Sequence, residues 1–244
     1  MVLGKEDKAA IHRGNIDYLG GVTFLINKPL EWTSFDVVKK LRNAIKKRLG
    51  VKKIKVGHAG TLDPLATGLL IICVGKHTKK IREYQELPKT YSGTIKLGAV
   101  TKSYDRETEE EEIKSVDHLK REEIVAASQE FMGEILQKPP LYSALKREGQ
   151  RLYKIARRGE TVTLPPRAVI IYEFELTAID LPELTFRVKC SKGTYIRSLA
   201  YDLGQKLGVG GYLTSLSRDA IGEYEKEKAF SIDELVDEIR DNKE

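Results

Sequence analysis

The largely apolar run Gly21-Val22-Thr23-Phe24-Leu25-Ile26-Asn27 reads as a strand, and Lys28-Pro29 ends it. Thr33-Ser34-Phe35-Asp36 then has the form of a helix-opening capping box. Val37, Val38, Leu41 and Ile45 follow at helical spacing and predict a helix to Leu49. Gly57 to Gly68 is a glycine-punctuated loop, and the apolar run Leu69-Leu70-Ile71-Ile72-Cys73-Val74 after it predicts a buried strand. A helix-like stretch at Lys79 to Tyr84 precedes Lys89 to Gly98, which alternates as a half-buried strand does. Helical periodicity returns from Leu119 to Phe131. Val169 to Leu176 and Leu184 to Cys190 predict two strands, and Tyr195 to Leu207 a helix. A last helix starts at Ser231, whose capping box is completed by Glu234. Residues 1–20 carry no sustained period and are expected to form a tail or a loosely docked arm.

Strands and helices are mixed without regular βαβ alternation, which predicts an α+β fold with a mixed sheet. No repeat, linker or low-complexity block divides the chain. Its 244 residues lie between one large domain and two small ones, and 41% hydrophobic with 32% charged residues describes a globular protein.

Cys73 and Cys190 lie far apart in strand-like runs and read as buried, reduced thiols. No Cys-x-x-Cys or His-x-x-x-His spacing exists, so a zinc site is not expected. The N-terminal segment lacks the apolar core of a signal peptide, and no apolar run approaches the ~20 residues that span a bilayer. A cytoplasmic protein is expected.

The net charge is +6. Between Lys138 and Ile171 stand Lys138, Lys146, Arg147, Arg151, Lys154, Arg157, Arg158 and Arg167 against only Glu148 and Glu160, an excess equal to that of the whole chain. The positive field is therefore local, as on a surface that meets an anionic partner. Tyr142 and Tyr153 interleave with these cations in a way suited to an RNA loop, although a solvated basic helix has the same composition. Residues 105–112 carry one Asp, five Glu and one Arg, and read as a solvated loop.

Asp63 stands apart. It lies between Leu62 and Pro64 in a loop whose Leu62, Leu65 and Leu69 draw it toward the core. Glycines allow close approach of a ligand, and Pro64 stiffens the backbone. A structural Asp that caps a turn fits this context as well as a catalytic one. Lys192-Gly193-Thr194-Tyr195-Ile196-Arg197 offers a partner: an arginine beside a carboxylate favours its charged form and matches it bidentately. A fold-stabilising ion pair is the alternative.

Gly57-His58-Ala59-Gly60-Thr61-Leu62-Asp63-Pro64-Leu65-Ala66-Thr67-Gly68-Leu69-Leu70 resembles the catalytic motif of the TruB-type tRNA pseudouridine-55 synthases. Four further blocks resemble the family's motifs in order: Asn27-Lys28-Pro29 with Thr33 to Asp36, Lys89-Thr90-Tyr91, Pro140 to Lys146, and Lys189 to Leu199. The resemblance covers Gly21 to Tyr224. It implies a largely antiparallel central sheet flanked by helices and loops, with a catalytic cleft across the sheet. It also implies a cofactor-free isomerisation of uridine in the T-arm stem-loop of tRNA, by base flipping. Asp63 is then the reacting carboxylate, Tyr91 stacks on the target base, and Arg197 pairs with Asp63. His58, Tyr195, Leu216 and Lys28 bind substrate; Tyr142, Lys146, Arg147, Arg151, Lys154, Arg157 and Arg158 grip RNA. Each has a bland alternative, for Tyr91 and Leu216 a place in the core.

The expected organisation is an N-terminal tail over 1–20, a catalytic domain over 21–230 with an RNA-gripping insertion at 138–167, and a short helix over 231–244. Longer relatives carry a C-terminal RNA-binding domain of the PUA type, for which no length remains after Tyr224. That favours a bacterial stand-alone monomer over a guide-RNA-dependent relative. Synthases acting on ribosomal RNA have Arg-Leu before the aspartate, where this chain has Thr61-Leu62. Two rivals remain: an RNA-binding protein without activity, which needs none of Asp63, Tyr91 and Arg197, and a glycosidase, which needs a second carboxylate.

Overall fold

The apolar run at 69–74 forms the heart of the Ala66–Val74 strand in the computed structural model, which describes residues 1–12, 16–143, 145–147, 149–160 and 162–241. Every residue from Gly68 to Val74 is buried, because successive side chains point to opposite faces and both faces are covered. Leu70, Ile72 and Val74 join Phe24 and Ile26 in one core cluster, while Leu69, Ile71 and Cys73 join Leu25 in another. The strand pairs antiparallel with Val22–Lys28 in a register running from Val22↔Val74 to Lys28↔Gly68. Val56–His58 also lies antiparallel to it.

These strands belong to one of two compact units, composed of Met1–Thr90 and Ser217–Glu244; the other is Tyr91–Leu216. The chain leaves the first unit within the Lys89–Leu97 strand and re-enters it within the Gly211–Ile221 strand.

In the first unit, the Ser34–Leu49 helix opens as its capping box predicts. The Asp36 amide donates to Thr33 Oγ1 at 3.1 Å, and the Thr33 amide donates to the Asp36 carboxylate at 3.0 Å. It stops at Gly50, whose left-handed backbone (φ 64°) returns its amide to the Lys46 carbonyl. Val37, Val38, Leu41 and Ile45 face the first core cluster together with Leu235, Val236 and Ile239 of the C-terminal helix Ile232–Asp241.

The N-terminal segment differs from the expected tail. Val2–Leu3 pairs parallel with the Val22–Lys28 strand, and Leu3, Ile11 and Tyr18 are buried in its core cluster. Its strand and its Lys8–His12 helix are too short to display a period in sequence.

In the second unit, the long Arg167–Asp180 strand pairs antiparallel with Glu183–Cys190 on one side and Gly133–Gln137 on the other. Phe174, Phe186 and Val188 from the strands and Ile124, Leu199 and Leu203 from the Arg121–Gln129 and Ile196–Lys206 helices build its core. Among the described residues of the first unit, parallel pairing is confined to Val2–Leu3 and Phe230–Ser231, so the fold is α+β and largely antiparallel. Both cysteines are buried and neither forms a disulfide. Among the described residues, no helix is long and apolar enough to cross a membrane.

Candidate active site

The Asp63 loop is held at several points within the first unit. Ser34, at the start of the helix, receives the Leu62 amide on its Oγ at 2.9 Å and donates to the Leu62 carbonyl at 3.1 Å. The Ala66 amide closes a turn onto the Asp63 carbonyl at 3.1 Å, and the Glu31 amide donates to the Pro64 carbonyl at 2.8 Å. Leu62 is buried, whereas Asp63 is half-buried. The backbone is thus fixed while the carboxylate keeps access.

Lys28, the last residue of its strand, is fully buried. Its Nζ donates to the carbonyls of Pro29 at 2.8 Å, Trp32 at 2.6 Å and Pro64 at 3.4 Å. Burial pushes the ammonium down to about 8; the negative charge of Asp63 opposes that fall and Arg218 adds to it. Lys28 therefore acts from beneath the loop, tying Pro64 to the turn before the helix. His58 is half-buried in its short strand, with an Nδ1 that has no hydrogen-bond partner among the described residues. Burial first, then the charge of Arg218, lower its pKa below the ordinary value, so the ring is neutral near pH 7.

Arg218 was not among the residues expected from sequence. It is the largest fully buried side chain among the described residues. Its Nε donates to the Leu69 carbonyl at 2.8 Å and an Nη to the Gly60 carbonyl at 3.1 Å. Its backbone lies so close to Gly68 that a Cβ there would stand 2.3 Å from the Arg218 carbonyl oxygen. Gly68 also has a φ of 103°, which a side chain disfavours.

In the second unit, Tyr195 is the N-cap residue of the Ile196–Lys206 helix, and Arg197 lies in its first turn. Gln137 fixes Tyr195 through both backbone groups, accepting from its amide at 2.8 Å and donating to its carbonyl at 3.0 Å. Arg197 is buried, donates to the carbonyls of Ser103 at 2.9 Å and Tyr142 at 2.7 Å, and pairs with Asp105 at 3.6 Å. Asp105 corrects the expectation of a uniformly solvated acidic run. Residues 109–112 are exposed, but Asp105 is buried, its carbonyl accepting from Thr101 and Ser103 and its carboxylate from the Glu107 amide. The hydroxyl-bearing Thr101 and Ser103 just before the acidic run were the available sequence signal. Tyr91 and Leu216 are partly buried against the core cluster of this unit.

The basic segment is not one continuous helix. Lys146–Arg147 and Gln150–Arg151 form a two-stranded ribbon, followed by the short Leu152–Ala156 helix. Leu152, Ile155 and Ala156 are buried, leaving Arg151, Lys154, Arg157 and Arg158 exposed. Arg157 pairs with Glu107 at 2.6 Å and lies over the Tyr153 ring, while Arg158 pairs with Glu160 at 2.6 Å. The side chains of Lys146 and Arg147 lie outside the described residues.

Lys28, His58 and Asp63 lie in the first unit, and Tyr91, Tyr142, Tyr195, Arg197 and Leu216 lie in the second. Among the described residues, no group of three His, Cys, Asp or Glu side chains is placed to hold a metal ion. Residues 46–196 match the model of the TruB family pseudouridylate synthase N-terminal domain. The chain belongs to the TruB family.

Proteins named tRNA pseudouridine synthase B are similar over most of their length. That of Flavobacterium johnsoniae is 52% identical, across 88% of this chain and 95% of the relative. That of Chlorobaculum tepidum is 50% identical, across 94% of this chain and 96% of the relative. Among solved structures, a Cbf5–Nop10–Gar1 complex aligns with 29% identity and a TM-score of 0.65 over 90% of this chain. An H/ACA RNP bound to a substrate RNA containing 2′-deoxyuridine aligns with 26% identity and a TM-score of 0.64, also over 90%. This chain spans 54% of each of those solved chains. The TruB family match includes Asp63, Tyr91, Asp105 and Arg197's neighbour Ile196, at which it ends; Lys28, Arg197, Leu216 and Arg218 stand outside it.

Proposed function

We propose that this protein isomerises uridine to pseudouridine in tRNA, at position 55 in the loop of the T arm, with Asp63 as the reacting carboxylate. The observation that carries the reading is the setting of Asp63: a half-buried carboxylate on a loop held by Ser34, Lys28 and Arg218. The relatives named tRNA pseudouridine synthase B supply the substrate class.

The reaction breaks the bond from N1 to the ribose C1′ and forms one from C5 to C1′. C5 loses a proton and N1 gains one, so no atoms or electrons are exchanged with another reactant. Such chemistry calls for a carboxylate at the sugar or base, a route for the C5 proton, and a tight grip on the displaced ring. Asp63 takes the first role. Tyr91 stacks on the target base and assists loss of the C5 proton, and Arg197 is the cationic partner of the reaction. Tyr195 and Leu216 contact the base, Lys28 supports the Asp63 loop, and His58 meets the RNA as a neutral ring.

The target uridine must leave its stack, at a cost of a few kcal/mol. Phosphate contacts from Arg151, Lys154, Arg157 and Arg158 offset that cost, with Tyr142, Lys146 and Arg147 completing the grip. The enzyme acts as a monomer in the cytoplasm, without a protein partner.

The test is to incubate wild-type protein with an unmodified tRNA transcript, map pseudouridine by chemical reverse-transcription stops and assay free uracil. A stop at uridine 55 without uracil supports the proposal. RNA binding without product supports a binding protein instead, and released uracil supports a glycosidase.

A further inference from the structure

Arg218 is more heavily committed than a structural residue needs to be. A buried guanidinium is costly to desolvate, and an apolar side chain of similar volume would fill the space more cheaply. Its donors converge on two carbonyls that bracket the Asp63 loop, Gly60 before the carboxylate and Leu69 after it. At the same point, the backbone of Arg218 closes against Gly68. Gly60 itself has a φ of 113°, a backbone conformation that a side chain disfavours.

We propose that Arg218 is the positioning residue for Asp63, its planar fork fixing the distance between the two ends of the catalytic loop. This rests on the reading of Asp63 as the reacting carboxylate. Arg218 acts through the backbone of residues 60–69 and does not touch the carboxylate chemistry itself. The planar fork suits the task, because two donors in fixed geometry set the separation of two acceptors, whereas an ammonium is a single point charge. Lys28 holds Pro64 in the middle of the loop, so the two cations divide the work: Lys28 supports the turn and Arg218 sets its ends.

The test compares Arg218→Lys and Arg218→Met with wild type in three measurements on the full chain. These are single-turnover conversion of a tRNA transcript at saturating protein, the Kd for the same RNA, and amide hydrogen exchange of the free protein. Misplacement of a reacting group by about 1 Å is worth on the order of 100-fold in rate, so Arg218→Met is expected to slow conversion by about that factor. Its Kd is expected to stay near the wild-type value, since loss of a loop anchor acts on the chemical step rather than on uniform binding. Arg218→Lys is expected to recover the melting midpoint but not the rate. Both variants are expected to exchange faster at the amides of residues 60–67, with the Ser34–Leu49 helix unchanged.

Wild-type rate and wild-type loop exchange in Arg218→Lys would overturn the proposal. So would a parallel loss of rate, affinity and global stability, with exchange raised throughout the unit. Should Arg218→Met fail to fold, the lysine variant carries both readings. Hydrogen exchange needs no RNA, so a wild type that converts no uridine defeats the assignment of function while the loop-anchoring claim is still decided.

Discussion

Arg197 and Asp105 form an ion pair at 3.6 Å in which both side chains are almost wholly withdrawn from water, with 5% and 9% of their surface exposed. The pair joins the first turn of the Ile196–Lys206 helix to the first residue of the acidic run. The carbonyls of Ser103 and Tyr142 take two further donors of the same guanidinium. Removing one member of a buried ion pair takes away a compensating charge where water cannot replace it, which is destabilising by up to several kcal/mol. Asp105→Ala is therefore expected to lower the melting midpoint and to slow conversion at saturating RNA. Asp105→Asn, which keeps an acceptor for the Glu107 amide, is expected to be milder in stability but still slow. Thermal melts with single-turnover assays check this; two variants indistinguishable from wild type would refute it.

Lys28 makes stability depend on alkaline pH. Its folded pKa, about 8, lies below the unfolded value of 10.5, so the unfolded chain binds the proton more tightly between them. The native state carries the full penalty below pH 8, and the penalty is relieved as pH rises toward 10.5. Relative to Lys28→Met, the wild type is expected to gain on the order of 3 kcal/mol across that window. Paired denaturant melts at pH 7.5, 9 and 10.5 measure it, and a flat difference between the two proteins contradicts it.

His58 is expected to titrate below its ordinary value of 6.5, because burial and the charge of Arg218 both oppose protonation. The NMR titration of its ring reads this directly. Arg218→Met is expected to move the midpoint upward, since one of the two causes is removed. A midpoint at or above 6.5 in the wild type rules this electrostatic description out.

Replacing Arg151, Lys154, Arg157 and Arg158 by alanine leaves the buried Leu152, Ile155 and Ala156 in place. The four-fold variant is expected to melt as wild type does while binding tRNA more weakly. The slope of log K against log salt is expected to flatten by about 0.7–0.9 for each phosphate that is no longer neutralised. An unchanged slope would mean that these cations face solvent only.

The elements legible in the sequence were those with a period or a cap. The helix from Ser34 declared itself through Thr33, Asp36 and its spaced apolar residues, and the strand through Leu69 to Val74 by its unbroken apolar run. Gly133–Gln137 did not: it pairs along only one strand and leaves Glu134 and Leu136 exposed, so it lacks a dominant apolar pattern. Val2–Leu3 is too short to carry a pattern at all. The site divided in the same way. Asp63 stood out through its glycines and leucines, and Arg197 through its helix start. Arg218, between Ser217 and Asp219, looks in sequence like an ordinary surface cation, and only the tertiary fold turns it inward. Asp105 was masked by the glutamates that follow it.

The central claim is that Asp63 is the reacting carboxylate, and its most direct test is single-turnover conversion of unmodified tRNA by wild type and by Asp63→Asn. The amide keeps the size of the side chain and removes its charge, so RNA binding is expected to persist. Pseudouridine at position 55 is expected from the wild type alone. Product from Asp63→Asn at the wild-type rate would contradict the account.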